Sequence, residues 1–370
     1  MGKVYEVFNM ELEILTPLHI GDGSSLLSME YIFHQNKLYV VKLEWILSNY
    51  PDFVDRIPEG IFYLGERLTD SRRTVETLVR NLEGEKGAER VMRVLVKDFL
   101  PGRCREIHTF IKDLNSRPYI PGSSIKGALR TAAAFVLVKK GKPYHDVEDL
   151  FREKEEGGGF DDVFKAIGVS DALPKEPDDG VLQVVKSQRI GSRRELINYW
   201  EIVPPGRKFT FTIKIHLGHS FAGKWFEKTG LGSDPETIVR ELLGASNLFS
   251  QAVLASEQES LGEVKNKILI IPEFLKDRKG KLYDNRENKA SQRSLYNLVE
   301  SFYNSGMLQI PTSSGEAILS MARGTGRHRK TVRLAGDNWQ SFMPKTREVI
   351  SATEYQDKPV FGWVKLRRVD

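Results

Sequence analysis

The run PYIPGSSIKGALRTAAAF, Pro118 to Phe135, constrains this chain more than any other stretch. Ile125, Leu129, Ala132 and Val136 recur at i, i+4, i+7 and i+11, which predicts an α-helix with one buried stripe. Ser123 or Ser124 is placed to act as N-cap, and Gly141 followed by Pro143 ends the pattern. Lys126 and Arg130 then fall in the first two turns. There the free backbone N–H groups and the helix dipole already present positive charge, so each cation costs about a few tenths of a kcal/mol. An anion seated on the helix start removes the conflict, held by the amides of Gly122, Ser123 and Ser124, the serine hydroxyls and both cations. A phosphate is the natural candidate. The competing reading is two solvated surface cations tolerated at small cost.

With 370 residues the chain is long enough for two or three domains. A formal charge of +5 and a pI near 9.0 fit a polyanionic partner without requiring one, so local clustering has to carry that argument. Cys104 is the single cysteine, which excludes a disulfide framework and a cysteine-based zinc site and favours a reducing compartment. The opening residues lack the layout of a secretory signal, and the run AAAFVLV is far too short to span a bilayer. These features predict a soluble, cytoplasmic protein with no membrane partner.

Alternation from Val4 to Leu15 predicts a strand that leads into a glycine-rich turn, GDGSS, at 21–25. MEYIFHQNKLYVVKL reads as a hairpin turning at Gln35 and Asn36, followed by a short helix from Glu44 to Tyr50. Charged, helical composition from about Pro58 to Arg117 predicts a helical insertion that includes GAERVMRVLVKDFL. Polar loops follow at EKEEGGGFDD and PKEPDDG, and strands resume at GVLQVVKSQRI and KFTFTIKIHL. Two long helices, DPETIVRELLGASNLFSQAVLAS and NKASQRSLYNLVESFYNSG, and a terminal strand in KPVFGWVKLRRV complete an α+β pattern with an antiparallel sheet. YIPGSSIKGALR at 119–130 matches QIPTSSGEAILS at 309–320 at five of twelve positions without a gap. This echo suggests a tandem duplication with its boundary near 216–222.

Glycine-rich loops let a backbone approach a phosphate closely, and flanking cations add charge that does not read bases. Three segments have this character: HIGDGSS at 19–25, PGSSIKGALR at 121–130 and RGTGRHRK at 323–330. None matches GxxxxGK[ST] or a GxGxxG turn, which argues against ATP and predicts no cofactor. Arg189, Arg193 and Arg194 in KSQRIGSRR either extend a basic track or form a solvated face. No HExxH or GxSxG occurs, and no closely spaced histidine pair offers a metal site. His19 and His328 are the candidates for a general base in RNA cleavage, against structural or RNA-contacting roles. Asp22 reads as a turn residue, and Trp200, Phe209 and Phe211 as core residues or base-stacking platforms.

TPLHIGDG, PYIPGSSIKGALRTA, RGTGRHRKT and GWVKL together resemble the RAMP superfamily of CRISPR-associated proteins. In order and length the chain looks like the Csm-type subunit of type III-A effector complexes that caps the 3′ end of the CRISPR RNA (crRNA). The resemblance implies tandem ferredoxin-like (RRM-like) domains with glycine-rich loops, at 1–217, with the helical insertion about 58–117, and at 218–370. It implies crRNA binding without nuclease activity, a part in crRNA 3′-end maturation by host trimming nucleases, and contact with other Csm-type subunits, especially the terminal backbone subunit. Carried over by motif, the RNA-binding residues are His19, Gly21 and Gly23; Gly122, Ser123, Ser124, Lys126 and Arg130; and Arg323, Gly324, Gly326, Arg327, Arg329 and Lys330. An endoribonuclease acting on precursor crRNA and a backbone subunit of the same complex are the alternatives.

Overall fold

A computed structural model describes residues 5–56, 62–69, 74–142, 147–154, 160–175, 182–216, 220–277, 279–321 and 347–369. The third glycine motif, with Arg323, Gly324, Gly326, Arg327, His328, Arg329 and Lys330, lies outside the described residues, as does Pro143.

Two β-sheets organise the chain. The first contains β1 (Tyr5–Ile14), β9 (Ile167–Val169), β10 (Leu173–Pro174), β13 (Lys208–His216), β16 (Glu316–Ser320) and β18 (Trp363–Arg368). Its order is β10-β13-β1-β18-β16, with β9 also on β13, and every pairing is antiparallel. The second contains β2 (Gly21–Leu27), β3 (Tyr31–His34), β4 (Lys37–Val41), β5 (Ala88–Leu95), β6 (Glu106–Phe110), β11 (Gln183–Ile190), β12 (Ile197–Ile202) and β17 (Arg347–Ile350). It runs β2-β6-β12-β11-β5-β4-β3, with β17 on β11, and is mixed because β11–β5 and β12–β6 are parallel. Two short hairpins stand apart, β7 (Arg152–Lys154) with β8 (Phe160–Asp162) and β14 (Phe274–Lys276) with β15 (Leu282–Asp284). The helices are α1 (Leu43–Asn49), α2 (Leu64–Leu68), α3 (Val75–Gly84), α4 (Gly122–Lys139), α5 (Ser220–Thr229), α6 (Pro235–Leu269) and α7 (Arg286–Asn304).

Local chemistry accounts for several of these elements. Gln35 and Asn36 both take positive φ, 47° and 60°, the signature of a two-residue hairpin turn matched to strand twist. The 35-residue helix α6 starts at a capping box, in which the Asp234 carboxylate accepts the Thr237 N–H at 3.0 Å and the Thr237 hydroxyl accepts the Asp234 N–H at 3.1 Å. Pro235, at its first position, has no N–H to leave unpaired.

Helix α4 ends as expected, with Gly141 at φ 83° beyond its last residue, and its stripe residues Ile125, Leu129, Ala132 and Val136 are all buried. Its burial extends further than one stripe. Ile125, Leu129, Ala133 and Leu137 join a core shared by both sheets, whereas Ala132, Phe135 and Val136 pack into a second core with α6 and α7. The Phe135 and Phe249 rings lie 5.3 Å apart in that second core. The small residues of the alanine run give the helix two apolar faces, which lets it act as the partition between the cores.

Four expectations change. GDGSS is not a free turn: it forms the start of β2, an edge strand whose register against β6 shifts between Gly21 and Ser25. Within the expected helical insertion, α2 and α3 are helical but β5 and β6 are strands of the second sheet. Val91, Met92, Val94 and Leu95 fit either period, and pairing with β4 and β11 decides for the strand. The internal echo opens a helix at 122 and a strand at 316, so its two copies fold differently. The expected boundary at 217 falls between β13 and α5, yet β16 and β18 complete the first sheet and β17 joins the second, so strands from both sides of it share the same layers.

Candidate nucleic-acid interface

The two described glycine segments are linked by one short, pinned stretch of chain. Strand β2 pairs with β6, and beyond β6 the chain is held by isolated bridges between Lys112 and Pro118 and between Ile120 and Ala172. It then enters α4, so this link carries the edge strand directly to the helix start.

In the first segment Gly21 to Ser24 are exposed along the sheet edge, with Gly23 at φ 94°. Asp22 folds the bulge through an Asx turn: its carboxylate accepts the Ser24 N–H at 2.9 Å, the Ser24 hydroxyl at 2.6 Å and the Thr109 hydroxyl at 3.0 Å. Burial works to raise the Asp22 pKa, but these hydrogen bonds from Ser24 and Thr109, with the charge of Lys112, outweigh it and hold the carboxyl below its usual range. Asp22 thus has the turn role read from the sequence.

His19 points the other way. It is 1 % exposed, its Nδ1 donates to the Glu201 carbonyl at 2.7 Å, and its ring meets Trp200 and Phe110 edge-on. The imidazole therefore has a structural part to play beneath the bulge. A Cβ on Gly21 would come to 3.0 Å from His19 Nε2, which explains why a glycine follows so closely. Trp200, Phe209 and Phe211 are also buried, which leaves core packing as their role rather than base stacking.

A fully buried carboxylate, Glu201, organises this region. Its Oε1 accepts Arg90 Nη2 at 2.8 Å, and its Oε2 accepts the Phe110 N–H at 2.9 Å and Lys112 Nζ at 2.7 Å. Burial pushes the Lys112 pKa down and Arg90 adds to that, while Glu201 opposes both. Arg90 also pairs with Glu89 at 2.8 Å, so two cations and two carboxylates balance in this group. Nothing local in the sequence marks these residues, because they come from positions 90, 112 and 201 on three separate segments.

The start of α4 corrects the account of its own charges. The first position outside the helix is Pro121, and neither Ser123 nor Ser124 caps it by side chain. The anion at the Gly122 amide comes from the protein: Asp171 Oδ1 accepts that N–H at 2.7 Å. Asp171 follows β9, and the helix start is pressed so closely on that segment that a Cβ on Gly122 would collide with the Val169 carbonyl. Arg130 is likewise engaged, 2.5 Å from Asp162 Oδ2, with its guanidinium 4.5 Å above the Phe151 ring and 5.6 Å from that of Phe164. Lys126 differs, since it makes no ion pair among the described residues. Burial lowers its pKa, against the pull of Asp162 and with the push of Arg130. Ser123 and Gly127 beside it are exposed, and the space above Gly127 is open.

Of the more distant basic residues, Arg189 faces Glu348 at 3.5 Å and Arg194 reaches the Lys276 carbonyl at 3.5 Å, so both have internal partners. Among the described residues no cluster of His, Cys, Asp and Glu is arranged to hold a metal ion, and no helix is long and apolar enough to cross a membrane.

The profile of the RAMP superfamily matches residues 11–306. The chain belongs to this superfamily. Its relatives include proteins named CRISPR system Cms protein Csm5. The one from Streptococcus thermophilus is 29% identical over 255 residues, covering 62% of this chain and 69% of that protein. The one from Methanocaldococcus jannaschii is 26% identical over 269 residues, 67% of this chain and 62% of that protein. In fold, the chain is similar to a chain of a Csm–crRNA–target RNA ternary complex of a type III-A CRISPR-Cas system, with TM-score 0.61, 20% identity and coverage of 98% and 100%. It is also similar to T. onnurineus Csm5, with TM-score 0.59, 18% identity and coverage of 96% and 99%.

Proposed function

We propose that this RAMP protein is a non-catalytic crRNA-binding subunit of a type III-A effector complex in the cytoplasm, one that caps the crRNA 3′ end and supports its maturation. The observation that carries the reading is Lys126, a half-buried cation without an ion pair among the described residues, set beside exposed Ser123 and open Gly127 at a helix start. Such a group is held ready for an external anion, and a backbone phosphate satisfies it without regard to base. The exposed edge of β2 at Gly21–Ser24 offers further main-chain contacts. Arg323, Gly324, Gly326, Arg327, Arg329 and Lys330 belong to the proposed RNA surface by resemblance alone. Similarity to Csm5 proteins supports the choice of complex and of Csm-type partner subunits. The tandem ferredoxin-like organisation belongs to the same proposal and rests on the resemblance alone.

The test is RNA binding by the purified protein together with incubation on repeat RNA. The reading expects binding that depends steeply on salt and little on sequence, weakened by Lys126→Glu, with no cleavage. Discrete, metal-independent cuts abolished by His328→Ala would establish the endoribonuclease instead, and several copies per complex in native mass spectrometry would establish a backbone subunit.

A further inference from the structure

At the far end of α4 is a cavity of about 420 Å³, lined by Lys140, Lys142, Arg152 and Lys228 together with the indole of Trp225. Lys140 follows Lys126 by 14 positions, roughly 21 Å at the rise of an α-helix, so this is a place separate from the interface above. Among the described residues four cations line it and no carboxylate does.

Part of that charge serves the helix ends. Lys140 Nζ donates to the Thr229 carbonyl at 3.2 Å, where α5 stops, and Lys142 Nζ donates to the Leu150 carbonyl at 2.8 Å while lying 4.7 Å above the Trp225 ring. The Lys140 ammonium has three donors, and its bonds to the Thr229 and Gly230 carbonyls leave one without a partner among the described residues. Arg152 faces Glu148 and Asp149 at 3.4 Å, both with exposed side chains and therefore weak screening partners. Lys228 has no ion pair or hydrogen bond from its ammonium among the described residues. Carbonyl bonds thus account for Lys140 and Lys142, Arg152 has only exposed carboxylates beside it, and Lys228 has no partner among the described residues.

Trp225 supplies an independent observation. It is 1 % exposed, and its buried indole N–H has no hydrogen-bond partner among the described residues. A buried donor without an acceptor costs free energy, and an anionic oxygen is the acceptor that the surrounding charge would attract.

We propose that this cavity is a binding site for a phosphate monoester, with Arg152 and Lys228 as its outer cations and Lys140 and Lys142 deeper in the lining. Its volume accommodates more than the phosphate alone, so the ligand is a mononucleotide or the phosphorylated end of an RNA strand. The two sources share one chemistry and differ in what is attached to it.

The test uses the full chain with adenosine 5′-monophosphate as probe and adenosine as control, read by isothermal titration calorimetry. The wild type is expected to bind the monophosphate and ignore adenosine, and Arg152→Glu with Lys228→Glu is expected to bind it at least about tenfold more weakly. Should the double variant fail to fold, Lys228→Gln alone replaces it, because Lys228 is exposed and without a partner among the described residues. A short oligoribonucleotide with a terminal phosphate separates the sources: competition with the probe, lost when that phosphate is removed, identifies an RNA end, and absence of competition identifies the free nucleotide. Lys126→Glu leaves probe binding unchanged, so failure of the RNA interface and failure of this site are distinguishable. No heat with the wild type, or equal affinity in wild type and variant, overturns the proposal.

Discussion

Replacing Lys126 and Arg130 separately, each by alanine, should divide RNA affinity from fold stability, although the two residues sit one turn apart on the same helix. Arg130 forms a partly shielded pair with Asp162, the side chains being 24% and 32% exposed, and covers the rings of Phe151 and Phe164. A pair of that exposure contributes up to about 1 kcal/mol, and cation–ring contact adds roughly 0.5–1 kcal/mol. Asp162 also accepts the Phe164 N–H at 2.9 Å, so losing Arg130 loosens the turn that seats both rings. Arg130→Ala is therefore expected to cost about 2 kcal/mol, and Arg130→Glu more, because it sets a second carboxylate against Asp162. Lys126 has no ion pair to lose among the described residues, and alanine is the better helix former, so Lys126→Ala should stay within about 0.5 kcal/mol of wild type. On RNA the order reverses. One phosphate contact to a single strand contributes about 0.7 to the slope of log affinity against log salt, and Lys126→Ala should remove about that much. Urea denaturation gives the stabilities, and fluorescence anisotropy with single-stranded RNA over about a fourfold range of salt gives the slopes. An unchanged slope in Lys126→Ala, or an Arg130→Ala protein as stable as wild type, would refute the reasoning.

Gly122→Ala should destabilise by roughly 1–3 kcal/mol, since its Cβ would meet backbone atoms of Val169 and Ser170, whereas Gly127→Ala should stabilise by up to about 1 kcal/mol because the space there is open; urea midpoints compare them directly. Glu201→Ala leaves buried Lys112 without its carboxylate and Arg90 with Glu89 alone, and should cost about 3–5 kcal/mol, read as a lost or strongly lowered thermal transition. Burial pushes the Cys104 thiol up to about 11, with a hydrogen bond to Tyr31 opposing it. Its folded pKa is thus above the ordinary value of about 8.5, so its contribution to stability is complete below that pH and is lost as pH rises toward the folded value. At neutral pH the native thiol should resist an aromatic disulfide reagent and react at once in urea.

The parts legible in the sequence are those that a few neighbouring residues decide. The α4 stripe and its glycine stop, the turn at Gln35 and Asn36 and the start of α6 at Asp234 follow from side-chain period, from the φ that a residue tolerates and from hydrogen bonds that close within one turn. The conflict between α4 and its cations was equally visible, because it is a property of one helix end. Its resolution was not. Asp171 and Asp162 lie 49 and 32 residues from the groups they satisfy, and Glu201 meets Arg90 across 111. The strand character of Ala88–Leu95 and the edge position of Gly21–Leu27 likewise came from partners far along the chain. Periodicity and backbone preference act over a few residues, whereas charge pairing and sheet neighbours are chosen only when the fold brings distant segments within a few ångströms. The sequence by itself therefore determined the helix, its buried stripe and its excess charge, and tertiary structure alone decided that Arg130 is tied to Asp162 while Lys126 has no ion pair among the described residues.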